Sequence, residues 1–169
     1  MLAIKGFRQT DDSRCGPACV KMVLDYWGIR KSEDLLCEAC NHTYGKGCTN
    51  QDMVRAFRTY GLVADYTENN DFLSVKQALR RGIPPIVDWF SLGTNPTRNE
   101  MPNGHASIIV DLDDAFITLM DPEDGQYRTI PRNEFKRVWF DWDKVEALNK
   151  PDQINIRGMI LAYPDIIRS

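Results

Sequence analysis

At 169 residues, 43% hydrophobic and 27% charged, the chain has the make-up of a globular protein with room for a substantial core, and its length suits one domain over residues 1–169. A formal net charge of -3 speaks against nucleic acid as the main partner, because phosphate binding draws on a basic surplus. No apolar run is long enough to span a bilayer, and the polar stretch Gln9 to Arg14 follows the N-terminus too soon for a signal peptide.

Residues 1–8 fit a short strand. From Pro17 the apolar positions Ala18, Val20, Met22, Val23, Tyr26 and Trp27 fall on one helix face, and Gly28 stops the helix. Ser32 with Leu35 and Leu36 starts a second short helix. Asn50 is a suitable N-cap for a third, which runs through Met53, Val54 and Phe57 to Gly61. Leu62–Thr67 reads as a strand, Asp71 caps a helix that ends at Gly82, and Ile83–Trp89 is a strand entered through two prolines. The strand-like runs His105–Leu112, Ala115–Met120 and Gln126–Ile130 follow, separated by Asp-rich and Gly-containing turns. A short helix over Arg132–Val138 and a last strand over Ile156–Tyr163 complete the order. Helices first and antiparallel strands second give an α+β fold in two layers. The polar stretch Ser91–Gly104 is long enough to be a binding element, and is expected to form one wall of a cleft.

Cys15 carries the chemistry. It lies in Gln9-Thr-Asp-Asp-Ser-Arg-Cys15-Gly16-Pro17-Ala18, directly ahead of the first helix. There a thiol faces unsatisfied backbone N–H groups and the positive end of the helix dipole, which favour the nucleophilic thiolate. With two histidines in the chain the search for a base is short. His105 opens one strand-like run and Asp121 closes the next, so a hairpin turning near Asp113 and Asp114 brings them to its open end. Side chains alternate faces along a strand, which adds a condition. A two-residue turn at 113–114 with no irregularity sets His105 and Asp121 on opposite faces. An odd loop or a β-bulge, which pairs 105 with 121 on one face, is therefore expected. Imidazole would take the thiol proton and return it to a leaving amine, while the carboxylate fixes the tautomer. The Cys15 N–H and the Gln9 side-chain amide are candidate oxyanion donors.

Gln9 six residues before Cys15-Gly16-Pro17-Ala18, then Gly104-His105 and Asp121-Pro122, together resemble the papain-like bacteriocin-processing peptidases, which cut leader peptides after a double glycine. Gly47-Cys48-Thr49, Tyr60-Gly61-Leu62 and Gly82-Ile83-Pro84 extend the likeness over residues 1–130. The resemblance implies a papain-like cysteine peptidase fold with N-terminal helices packed on a C-terminal antiparallel sheet. It implies Cys15 as nucleophile, His105 as base, Asp121 as orienting carboxylate and Gln9 as oxyanion donor. Transporter-linked members carry Asp immediately before the nucleophile, where this chain has Arg14, and no transporter follows; the stand-alone branch is the closer match.

Each residue also has a plain structural reading. Cys15 alone would be a small buried hydrophobe, His105 a core histidine and Asp121-Pro122 a turn opener. Cys19, one turn after Cys15, fits the core, although its sulfur is placed to form an oxidation product with Cys15. Cys37, Cys40, His42 and Cys48 are ligand types that zinc accepts, but the spacing is tight and the first two fall on a buried helix face, so no metal and no cofactor are assigned. Trp139-Phe140-Asp141-Trp142 reads as alternating burial, and Asp11-Asp12 and Asp113-Asp114 as solvated turns. Five cysteines with no disulfide-scaffold spacing suit a reducing, cytoplasmic setting, although a secreted chain trimmed of its leader would look the same. The expectation is a cysteine peptidase acting on a peptide or protein. Acyl transfer or deamidation through the same acyl-enzyme, a non-catalytic peptide-binding module and a zinc-dependent interaction domain are the alternatives.

Overall fold

The computed structural model describes residues 1–91, 104–142 and 154–168. In chain order it contains α1 (Cys15–Tyr26), α2 (Glu33–Ala39), α3 (Asn50–Thr59), β1 (Val63–Thr67), α4 (Phe72–Arg80), β2 (Ile86–Trp89), β3 (His105–Leu112), β4 (Phe116–Asp121), β5 (Gln126–Pro131), α5 (Arg132–Val138), β6 (Phe140–Trp142), β7 (Ile154–Ile156) and β8 (Met159–Tyr163), followed by a 3-10 turn, Asp165–Arg168. The stretch expected to wall a cleft, Ser91–Gly104, lies outside the described residues apart from its two ends.

The helices begin and end where local chemistry directs. Ser32 accepts a hydrogen bond from the Leu35 N–H at the start of α2, and Asp71 accepts one from Ser74 at the start of α4. For α3 the cap is Thr49 rather than the expected Asn50. Thr49 and Asp52 exchange hydrogen bonds as a capping box, and that reciprocal pair outcompetes a single Asn. Gly61 and Gly82, just past α3 and α4, take positive φ of 85° and 72°, which a side chain resists.

Six strands form an antiparallel sheet in the order β1-β8-β2-β3-β4-β5, and β6 pairs with β7 in a separate two-stranded ribbon. One face of the large sheet carries Ile86, Ala106, Ile108, Val110 and Ile160, packed against α1 and α3 through Val20, Val23, Leu24, Val54 and Phe57. Val20, Val23 and Leu24 are wholly buried, each worth about 1.5–3 kcal/mol against exposure. The opposite face carries Val87, Trp89, Ile109, Ile117 and Leu119 against Val75 of α4 and Phe135 of α5. The N-terminal helices thus pack on the sheet as expected, and α4 and α5 add a third layer.

Two element assignments differ from expectation. Residues 1–8 form no strand: Leu2 N–H reaches Val110 O at 2.7 Å and Gln9 N–H reaches Pro122 O at 2.8 Å, isolated bonds that pin the segment without a ladder. The run Ile156–Tyr163 is two strands, broken at Arg157, whose φ of 51° turns the chain from the ribbon into the sheet. Trp139 is buried with its Nε1 donating to Gly158 O at 3.0 Å, and Phe140 stacks on Phe90, so these aromatics serve packing.

Candidate active site

Helix α1 opens at Cys15, with Pro17 in its first turn, where the missing N–H costs nothing. No side chain caps its N-terminus. Arg14 at the cap position points instead into an acidic cluster, with Nε 2.7 Å from Asp11 Oδ2 and NH1 3.0 Å from Glu33 Oε2 and 2.9 Å from Asp34 Oδ1. Buried Glu33 also accepts from the Thr10 N–H at 3.2 Å and from the Thr10 hydroxyl. Arg14 therefore fastens the Gln9–Arg14 loop to α2. Asp11 is no free solvated acid either, since its Oδ1 accepts from the Ser13 N–H at 2.8 Å and the Ser13 hydroxyl at 2.6 Å. Asp113 does serve its turn, accepting from the Ala115 and Phe116 N–H groups at 2.7 and 2.6 Å.

The β3–β4 hairpin meets the register condition by a bulge. Near the tip Leu112 pairs with Ile117 and Asp111 with Thr118; beyond the irregularity Ile109 pairs with Leu119 and Ile108 with Met120. The extra residue is Val110, whose carbonyl is the one that Leu2 takes up. The direct pairing of 105 with 121 does not occur. Continuing the register sets Asp121 across from Ser107, so that it reaches His105 on the diagonal, on the same face. Without the bulge the two side chains would point to opposite faces.

His105 Nε2 and Asp121 Oδ1 are 2.6 Å apart. A carboxylate only accepts, so Nε2 carries a proton and Nδ1 is the ring nitrogen left for a second partner; Cys15 is close enough to act on this imidazole. His105 is 12% exposed and Asp121 4%. Burial works against a charged imidazole here, but the hydrogen bonds and charges of Asp121 and Cys15 outweigh it and raise His105 to about 10. Burial pushes Asp121 up as well, and His105 and Arg128 more than reverse that, holding it below the usual carboxylate range. Both oxygens of Asp121 have further partners: Oδ1 also accepts from the Glu123 N–H at 3.0 Å, and Oδ2 from Arg128 NH1 at 3.0 Å. Trp89 lies across from His105 on β2, their ring centroids 5.9 Å apart and edge-on.

The Gln9 backbone is held at this end of the sheet by its bond to Pro122 O. Its side-chain Nε2 donates to Asp11 O at 2.9 Å, which engages one of its two N–H groups and, among the described residues, leaves the other without a partner.

The sequence profile described as the Peptidase_C39 like family matches residues 1–146. The chain belongs to that family. No functionally curated protein matches the sequence. Among solved structures, this C39-like chain is similar to a double glycine motif protease from an AMS/PCAT transporter in complex with its leader peptide, at 18% identity and TM-score 0.68, over 96% of this chain and 93% of that one. It is similar to the peptidase domain of Streptococcus ComA, a bi-functional ABC transporter, at 18% identity and TM-score 0.70, over 96% and 99%. A Bacillus anthracis protein described as a C39-like peptidase matches at 14% identity and TM-score 0.68, over 94% of both chains. These likenesses give the C39-like chain the papain-like fold. Among its described residues no helix is long and apolar enough to cross a membrane.

The other cysteines of the C39-like chain hold raised or unassigned thiols rather than a place in the dyad. Burial raises the Cys19 thiol well above its ordinary value and Cys37 to about 11; a hydrogen bond with Cys40, then burial, raises Cys48. The zinc pattern does not assemble. His42 Nε2 lies 3.0 Å from both Ser13 Oγ and Ser13 O. Among the described residues, His105, Asp121 and Glu123 are the only three metal-ligand types with atoms within 4.8 Å of one another, and two of them form the dyad.

Two contributors escaped the sequence reading. Arg128 shares the dyad's face through the β4–β5 register, which alternation along two adjacent strands would have revealed. Gly16 is the other: a Cβ there would stand 2.5 Å from Cys48 Sγ, so the helix turn after Cys15 has room only for glycine.

Proposed function

We propose that this chain is a cysteine peptidase. Cys15 attacks a peptide carbonyl, His105 takes the thiol proton and returns it to the departing amine, and Asp121 holds the imidazole in its working tautomer. The Cys15 N–H and the free N–H of Gln9 receive the oxyanion, and water then hydrolyses the thioester. The observation that carries the reading is the buried His105 Nε2–Asp121 Oδ1 contact of 2.6 Å, with Cys15 close enough to raise the same imidazole. A general base needs that combination of reach and protonation. Membership of a peptidase family supports it, and the relative solved with a leader peptide supports a peptide of the leader class as substrate.

The test is a thiol-directed probe at neutral pH on the wild type and Cys15→Ala. Labelling should be confined to Cys15 and vanish in the variant, and His105→Ala should keep the fold while losing preferential labelling. Undiminished labelling of Cys15→Ala would overturn the assignment. Mass spectrometry of peptide products with an amine acceptor present separates hydrolysis from acyl transfer, with hydrolysis expected.

A further inference from the structure

Asp121 has a cationic neighbour that the proposed chemistry leaves unused. In the β4–β5 ladder Asp121 pairs with Gln126 and Leu119 with Arg128. Residues two apart on a strand share a face, so Arg128 stands diagonal to Asp121 on the side where the dyad lies. Its NH1 meets Asp121 Oδ2 at 3.0 Å, and its guanidinium carbon lies 5.4 Å from the centroid of the Trp89 ring. The sheet runs β2-β3-β4-β5, so this side chain starts on β5 and ends over a ring on β2. It thereby passes along the face on which His105 and Asp121 meet. Trp89 is itself fixed: it is fully buried, directly across from His105, and its Nε1 donates to Ser107 Oγ at 3.0 Å.

We propose that Arg128 is a positioning residue for the His105–Asp121 pair, clamped on Trp89 so that it holds the Asp121 carboxylate toward His105 and offsets part of its charge. The inference rests on the cysteine-peptidase reading. A carboxylate held through one oxygen can still swing about its Cβ–Cγ bond, and the contact on Oδ2 stops that rotation. Lysine would supply the charge but not the planar fork stacked on an indole. The charge has a second effect. Among the described residues, the titratable groups around the dyad are Cys15 from α1, Asp121 from β4, Glu123 just after it, Arg128 from β5 on the Asp121 carboxylate, and Asp141 of β6, whose carboxylate lies against Gly104. Arg128 is the cation among these described groups. Without it the carboxylate acts on the imidazole at full strength, and an imidazole held too firmly as its cation is a poor base for the water that cleaves the acyl-enzyme.

The experiment compares wild type, Arg128→Gln and Arg128→Lys by three measurements: NMR titration of the His105 ring, thermal unfolding, and deacylation of the acetyl-enzyme formed from p-nitrophenyl acetate. Arg128→Gln should move the His105 midpoint upward by about half a unit or more, which lowers the neutral fraction at pH 7 and slows deacylation about threefold or more. Arg128→Lys should return the midpoint to within about 0.3 unit of wild type yet stay slower, since the stacked fork is missing. An Arg128→Gln chain that melts earlier with midpoint and deacylation unchanged would reduce the contact to a structural ion pair and overturn the proposal. Should Arg128→Gln fail to fold, Arg128→Lys decides, and wild-type deacylation in that variant overturns it. A normal acetyl-enzyme burst with an indifferent Arg128→Gln removes only the role of Arg128. A burst of the same size in wild type and Cys15→Ala removes the peptidase reading together with it.

Discussion

Replacing Asp121 with Asn keeps the shape of the side chain and removes the charge that His105 leans on. In the folded chain His105 is lifted from 6.5 to about 10 against the pull of burial. At about 1.36 kcal/mol per unit, that lift amounts to roughly 5 kcal/mol of preference for the imidazolium, shared between Asp121 and Cys15. Because the folded value is raised, the stabilisation is fully present below 6.5 and drains away as pH climbs through about 10. The wild type should therefore lose melting temperature between pH 7 and pH 10, and Asp121→Asn should start lower and change less over the same window. Asp121 has the opposite sign: its folded value is depressed below 3.8, so its contribution is present above 3.8 and is lost as pH falls through the folded value. For the chemistry, the Asn amide is neutral and no longer stabilises the imidazolium, and its NH2 end must face one of the donors that the carboxylate accepts from. The rate of Cys15 alkylation by iodoacetamide at pH 7 should drop by about a hundredfold or more. The assay is that rate between pH 5 and pH 10, with NMR of the His105 ring alongside. An Asp121→Asn variant that alkylates within about threefold of wild type, with its His105 midpoint still near 10, would refute the reasoning.

Gln9→Ala should leave iodoacetamide alkylation of Cys15 intact but lower turnover of a cleaved peptide by about ten- to a thousandfold, because only the tetrahedral state uses the amide; equal loss in both assays would point to a disturbed loop. Gly16→Ala should cost about 1–3 kcal/mol in chemical denaturation, since its Cβ would stand 2.5 Å from Cys48 Sγ, and Cys48→Ala in the same chain should restore most of the loss. Chelation by EDTA should leave the melting temperature unchanged, because Cys37, Cys40, His42 and Cys48 do not converge on one point; a fall of several degrees would revive a metal site.

What was legible in the sequence was local or periodic. Ser32, Asp71, Gly61 and Gly82 announce helix ends by their own chemistry, and the structure places them there. The dyad was legible because two histidines leave few choices, and strand alternation then demanded an irregularity in the hairpin. Which irregularity, and the shift of Asp121 to a position across from Ser107, is fixed at Val110, where Leu2 from the N-terminal segment takes the carbonyl, a contact that no short window contains. Arg157 at φ 51° carries no residue-type signal for a break, so one strand was read where two exist. Arg14 looked anomalous because Glu33 and Asp34, which explain it, lie on another helix.

The place of Val110 in the hairpin has a consequence for insertions and deletions. The bulge separates the dyad from the tip, where Asp113 N–H bonds Phe116 O and the Asp114 side chain is fully in solvent. Lengthening the tip at Asp114, by an odd or an even number of residues, leaves the pairing of Ile108 and Ile109 untouched. A tag or epitope spliced there should leave the His105–Asp121 contact in place. One residue inserted between His105 and Ile109 would turn the imidazole to the face packed on α1 and α3 and away from its carboxylate.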